Sequence, residues 1–271
     1  MKQIRPAAVA GMFYTADSRT LAGELAAMLE EAAQHMEKPA TLPKAVIVPH
    51  AGYIYSGPIA ASAYALLEYG RNIYRRVVLL GPVHLVPVHG LALPRAEGFA
   101  TPLGIIPLDL DAIAMIAGLP QVVEYDAAHS LEHSLEVQLP FLQTVLEDFK
   151  LVPLAVGDVT PQEVAEVLER LWGGPETLIV ISSDLSHFLT YREAQQIDNS
   201  TAQAILDLRW PINHEQACGG TPVNGLLLAA QRHHLKPHLL NLRNSGDTAG
   251  DKSRVVGYGA FSFIEEHAHA D

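Results

Sequence analysis

A single cysteine, Cys218, stands in a chain of 271 residues. No internal disulfide can form, and one free thiol fits a reducing, cytoplasmic setting rather than a stapled secreted scaffold. Positive charge is also scarce: 18 Lys plus Arg oppose 30 Asp plus Glu, for a formal charge of −12. Nucleic acid and anionic membrane both call for a basic face, so neither is expected as a partner. The first fifteen residues lack the apolar run behind a basic start that marks a secretory signal. No stretch reaches the ~18 uninterrupted apolar residues of a membrane span. Only 18% of residues are charged against 49% hydrophobic, which excludes a disordered chain. Without internal repeats or a low-complexity linker, residues 1–271 read as one domain.

Histidine is what the chain has in unusual number: 13, which points toward metal chemistry. Two of them, His267 and His269, fall in the polar tail "EEHAHAD". Runs dense in Val, Ile and Leu without polar alternation predict strands over 45–49, 77–80, 151–156, 178–182 and 255–264, with a further strand over 238–242. Helical patterns cover 20–36, 59–67, 131–146, 161–172, 191–208 and 223–233. Asp17-Ser18 and Thr160-Pro161 read as N-cap and N1 signals for two of these helices. Strands alternating with helices predict a three-layer α/β/α sandwich around a mainly parallel or mixed sheet. Gly257 and Gly259 in the last strand predict a bulge or a close backbone approach.

In open α/β sheets, ligands bind beyond the carboxyl ends of the strands. The predicted strand at 45–49 leads to His50 in "VPHAGYIYSG", and the strand at 77–80 leads through Gly-Pro to His84 in "LLGPVH". The strand at 178–182 is followed by Asp184 and His187 in "SSDLSHF". Three strands thus bring imidazole to one edge. Cys218, in "CGGTPV", precedes a helix for which Thr221 and Pro222 read as N-cap and N1. The positive end of that helix would favour thiolate, a nucleophile and soft metal ligand, while the alternative is a small buried hydrophobe.

A rival site lies in "AAHSLEHSLEVQLPFL". His129, Glu132 and His133 match the H-x-x-E-H pattern of inverzincin metalloproteases, which would make the chain a Zn-dependent hydrolase if the segment is helical throughout. Ala127-Ala128 gives little sign of a helix beginning there. Other histidines read as structural or surface residues: His35, His214, His233, His234 and the loop residue His89. Tyr53 and Tyr55 read as pocket wall, and Asp247 in "NSGDTAGD" as the closure of a turn.

Taken together, "RPAAVAGMFYTAD", "VPHAGYIYSG", "LLGPVH", "EHSLEVQLPFL", "SSDLSHF", "CGGTPV" and "NSGDTAGD…VVGYGAF" resemble the ordered landmarks of the Memo family, component B of the AmmeMemoRadiSam system in prokaryotes. The resemblance spans essentially the whole chain. It implies an α/β domain related to the class III extradiol (LigB-type) non-haem iron dioxygenases. It also implies a metal site of His50, His84 and Cys218, with His133, Asp184 and His187 at further pocket positions. On that basis Fe(II) or Cu is expected, with Zn as an alternative, because thiolate is softer than the carboxylate of the related dioxygenases. The chemistry implied is metal-dependent redox, with His187 or His133 as acid or base. The competing expectation is a non-catalytic module that binds metal, a small molecule or a peptide. The implied partners are a radical SAM protein and an AMMECR1-like protein.

Overall fold

Val77, Val78, Leu79 and Leu80 are all inaccessible to solvent, but they do not share a core. Val77 and Leu79 pack with one apolar cluster while Val78 and Leu80 pack with another. The same split divides Val46 and Val48 from Ala45 and Ile47, and Leu178 and Val180 from Ile179 and Ile181. Alternate side chains of a strand leave opposite faces. A strand with apolar residues at every position therefore needs a helical layer on each side, and each buried Val, Ile or Leu contributes about 1.5–3 kcal/mol.

The computed structural model describes residues 3–34 and 36–265. His35, His267 and His269 lie outside the described residues. The main sheet runs β10 (His187–Leu189), β12 (Val255–Glu265), β2 (Ala45–Val48), β9 (Thr177–Ser182), β3 (Arg76–Pro82), β8 (Lys150–Val156), β4 (Leu91–Leu93), β7 (Val122–Glu124), with β11 (Leu235–Asn244) also paired to β12. Its centre, β2-β9-β3-β8, is parallel. β12 joins β2 antiparallel and β4 joins β8 antiparallel. A small second sheet combines β1 (Ile4–Arg5), β5 (Gly98–Thr101) and β6 (Gly104–Pro107).

Buried residues of α1 (Ser18–Ala33), α2 (Tyr53–Leu67) and α5 (Leu139–Val145) fill one face. Those of α3 (Leu110–Ile116), α6 (Pro161–Leu171), α7 (Tyr191–Leu206) and α8 (Gly220–Arg232) fill the other. The architecture is the three-layer α/β/α sandwich with a mixed sheet that the strand and helix pattern predicts. Both predicted caps form: Asp17 Oδ1 accepts from Thr20 N at 2.9 Å, and Thr160 and Glu163 make a reciprocal capping box. No helix among the described residues is long and apolar enough to cross a membrane.

Two helices depart from expectation. α2 starts at Tyr53 rather than at 59 and runs through Gly57 and Pro58. A Cβ on Gly57 would stand 2.6 Å from Met28 Sδ, so glycine there lets α1 and α2 pack closely. The helix predicted over 131–146 breaks up. A short α4 (Ala127–Ser130) ends before it, and regular helix resumes only at Leu139. Between them the Glu132 carboxylate accepts the backbone N–H groups of His133 and Ser134, both at 2.9 Å, in place of a helical ladder. The close approach expected at Gly257 is present: a Cβ there would lie 2.0 Å from Asp198 Oδ2.

Candidate metal centre

Because β2, β9 and β3 are parallel, their carboxyl ends share one edge, and the chain beyond each carries a polar side chain into the same space. His50, immediately after β2 and Pro49, is buried. Asp184 Oδ1 accepts from His50 N at 2.7 Å, which ties the loop after β2 to the loop after β9. The ring is fixed by Ser182, the last residue of β9. Ser182 Oγ donates to Ser134 O at 2.6 Å and accepts from Gln138 Nε2 at 2.7 Å. Its one proton is thereby used, so at 2.9 Å it accepts from His50 Nδ1, and Nε2 of His50 keeps its lone pair. Burial first, then the neighbouring imidazoles of His133, His84 and His187, hold His50 well below the usual histidine range. It is neutral at pH 7.

His84 and His133 are joined through one carboxylate. Glu132 Oε2 accepts from His84 N at 2.6 Å and Glu132 Oε1 accepts from His84 Nδ1 at 2.9 Å. His133 Nδ1 lies 3.2 Å from the same Oε1. Burial alone would raise the Glu132 carboxyl, but hydrogen bonds from the His84 ring and from the Ser134 and His84 amides outweigh it and bring it down to about 2. Burial lowers His133 to about 4, so it too is neutral. The rings of His84 and His133 stack at 4.5 Å, and His50 meets their edges at 5.3 and 5.4 Å. Phe13 packs against His133 at 4.5 Å.

Cys218 precedes α8, but the helix starts at Gly220 with Gly219 as N-cap, not at Thr221. Gly219 N donates to Ser183 Oγ at 3.0 Å, and Cys218 Sγ stands 3.3 Å from His50 Nε2. The expected thiolate is not favoured. Burial, followed by the Asp184 carboxylate, pushes the Cys218 thiol up to about 12, which overrides the helix end. The thiol therefore shares its proton with the His50 lone pair. Asp184 itself is raised to about 6 by burial, against the amides and imidazoles around it. His187 donates from Nδ1 to Leu185 O at 2.9 Å, which leaves Nε2 as acceptor. A cleft of about 530 Å³ is lined by His133, Asp184 and His187 together with Tyr55, Phe188 and Arg254.

The rival cluster does not assemble. His129 sits on the four-residue α4, and Glu132 and His133 lie beyond its end, so the three share no helical face. His129 is buried with Nε2 2.9 Å from Ala92 O, and burial lowers it to about 4. The helical H-x-x-E-H arrangement is thus corrected: Glu132 orients His84 instead of serving as a general base on a helix. Glu136, four residues on, is the buried partner of Arg5 at 2.5 Å and accepts from the amides of Ala8 and Val9. Tyr53 is core, with its hydroxyl donating to Val137 O at 2.7 Å, whereas Tyr55 does wall the cleft. Asp247 closes its turn by accepting from Asn244 N at 3.0 Å. His233 is structural, stacked on Trp172 at 3.7 Å and paired with Glu169 at 2.8 Å. Sequence reasoning missed the roles of Glu132, Ser182 and Gln138, although all three lie inside or beside the quoted motifs.

A family model described as Memo-like protein matches residues 5–262. The chain belongs to the Memo family. Related Memo-family chains occur in archaea and bacteria. A MEMO1 family protein of Metallosphaera sedula is 34% identical over 286 residues, covering 96% of this chain and 99% of the relative. One from Aquifex aeolicus is 36% identical, covering 97% and 100%, and one from Methanosarcina mazei is 35% identical, covering 95% and 98%.

In this Memo-family chain His50, His84 and His133 could hold a metal ion, since one ligand atom from each lies within 4.8 Å of the others. Donors on a tetrahedral metal at ~2.1 Å stand about 3.4 Å apart, so a modest inward turn of the rings would suffice. The donor chemistry fits. His50 and His133 are neutral, and His50 and His84 present Nε2 while an oxygen acceptor orients Nδ1, the usual arrangement behind a metal-bound histidine.

Proposed function

We propose that this chain binds a redox-active metal, Fe(II) or Cu, through His50, His84 and Cys218, and performs oxidoreductase-type chemistry on a small-molecule or peptide ligand in the adjoining cleft. The observation that carries this is the 3.3 Å separation of Cys218 Sγ and His50 Nε2. That is close to the ~3.5 Å expected of a thiolate and an imidazole on one metal. Imidazole with thiolate selects Cu, Fe or Zn over the hard cations, and Zn would bind without redox chemistry. A bound metal would supply open coordination positions and the charge needed to deprotonate a thiol that is otherwise neutral.

The protein's own groups provide the rest. His133, neutral and lining the cleft, accepts a proton; His187 lines the same cleft and offers Nε2. Asp184 fixes His50 through its backbone amide. Metal analysis of protein prepared without oxygen tests the donor set. His50→Ala and Cys218→Ser should lose metal, while His133→Ala should keep it and lose turnover. Retention by Cys218→Ser with loss by His133→Ala would transfer the third position to His133. Oxygen uptake by the loaded protein with catechols, thiols or ascorbate, no faster than with free metal, would leave a binding module in place of an enzyme. The radical SAM protein and the AMMECR1-like protein are proposed partners, to be sought by co-purification with the full chain.

A further inference from the structure

His89 and His214 have no part in the function proposed above, yet both border the same centre from a second cleft. This cleft, about 360 Å³ in volume, is lined by His84, His89, Asp158, His214 and Cys218. His84 lines this cleft, and His133, whose ring stacks on His84 at 4.5 Å, lines the 530 Å³ cleft. Its donors run from the surface inward. His89 and Asp158 are 91% and 85% exposed, His214 and His84 are exposed, Cys218 is half-buried, and His50, 3.3 Å from the Cys218 sulfur, is buried.

Backbone contacts bring the outer donors near one another. Gly90 N donates to Asp158 O at 2.9 Å and Asp158 N to Val88 O at 2.7 Å, which sets His89 Nδ1 3.3 Å from Asp158 Oδ2. His214 Nδ1 stands 3.3 Å from the Cys218 carbonyl oxygen and donates to it. An imidazole that donates from Nδ1 keeps Nε2 as its lone-pair nitrogen. The neutral His214 ring therefore presents the atom that His50 and His84 also present. The Asp158 carboxylate, on a chain of net charge −12, draws cations to this mouth.

We propose that the second cleft is the loading path of the metal: a divalent cation is captured at His89 and Asp158, passed to His214, and delivered to Cys218 and His84. The inference rests on the metal reading of the centre. It leaves the 530 Å³ cleft free for the organic ligand while the metal arrives from the other side. A path, unlike a site, changes arrival and departure rates equally and leaves equilibrium affinity alone.

Metal-free full-length protein is mixed with Co(II), and uptake is followed by visible absorption. The chains compared are wild type, the double variant His89→Ala with His214→Ala, and Asp158→Asn. These exposed positions leave the core intact, and circular dichroism verifies the fold. Asp158→Asn should take up Co(II) about tenfold more slowly, the low end of the gain a charged cleft gives association. The double variant, which removes the two imidazole carriers and keeps the charge, should also be slower than wild type. Release into excess chelator should slow by the same factor, with Kd unchanged. Equal rates in all three chains overturn the path. A weakened Kd at unchanged uptake rate would make these residues ligands and overturn it as well. Wild type that takes up no Co(II) overturns the metal reading of the centre itself, so the two failures are distinguishable.

Discussion

His50 and His84 follow two parallel strands, β2 and β3, that flank β9 in the sheet, but they are held by different means. His50 is locked from the sheet itself: Ser182 at the end of β9 orients its ring, and Asp184 two residues later clasps its backbone. His84 and His133 lie outside regular structure and share one carboxylate, Glu132, which gathers the amides of His84, His133 and Ser134 as well as a ring nitrogen of His84. One side of the centre is thus fixed by strand register. The other hangs on a buried side chain within an irregular segment. Preorganisation has been reached twice, once through the sheet and once through a desolvated charge whose hydrogen bonds outweigh its burial.

Predictions that break this contrast begin on the irregular side. Glu136→Ala leaves Arg5 buried without its partner and frees the N-terminal segment that carries Phe13 onto His133. A loss of about 3–5 kcal/mol is expected in urea unfolding, as for other broken buried pairs. A loss below 1 kcal/mol would show that this anchor is dispensable.

The next effect is one of pH. His129 is lowered from 6.5 to about 4 by burial, so the folded chain resists protonation that the unfolded chain accepts. Its stabilising contribution is present above pH 6.5 and disappears as pH falls from 6.5 to 4. That amounts to about 3 kcal/mol at 1.36 kcal/mol per pH unit. Unfolding curves of wild type and His129→Gln across that window should diverge; parallel curves would remove His129 as the cause.

Glu132→Gln places an NH2 group where backbone and ring donors converge. Metal affinity should fall 10–100-fold, as for other residues that orient a ligand. Ser182→Ala, on the sheet side, is the smallest effect expected. His50 keeps its backbone clasp to Asp184, so metal affinity should fall less than tenfold, or about 1.4 kcal/mol. A larger loss for Ser182→Ala than for Glu132→Gln would invert the comparison.

The same contrast separates what could be read in the sequence from what could not. The strands that form the parallel centre are apolar at every position, and a run of that kind has few alternatives to burial between two layers. Their boundaries and the residues just past their ends, His50, His84, Asp184 and His187, could therefore be placed. The segment 131–146 has the spacing of an amphipathic helix, and local pattern alone favours one. The helix loses there because Glu132 serves backbone amides and a histidine 48 positions earlier in the chain. No window of sequence contains both partners. Cys218 is a similar case: a thiol ahead of a helix suggests thiolate, whereas burial beside Asp184 decides for the neutral form. His89 and His214 look like loop residues in sequence and share a cleft only after folding.

By itself, then, the sequence determined the three-layer sandwich, the family, and the strand ends from which the centre is built, because hydrophobic periodicity and ordered motifs are local properties of the chain. The tertiary structure decided which histidines meet, which ring nitrogen each presents, and that a buried glutamate holds two of them together. Those outcomes depend on desolvation and on hydrogen bonds between residues far apart in sequence, and neither exists until the layers have closed.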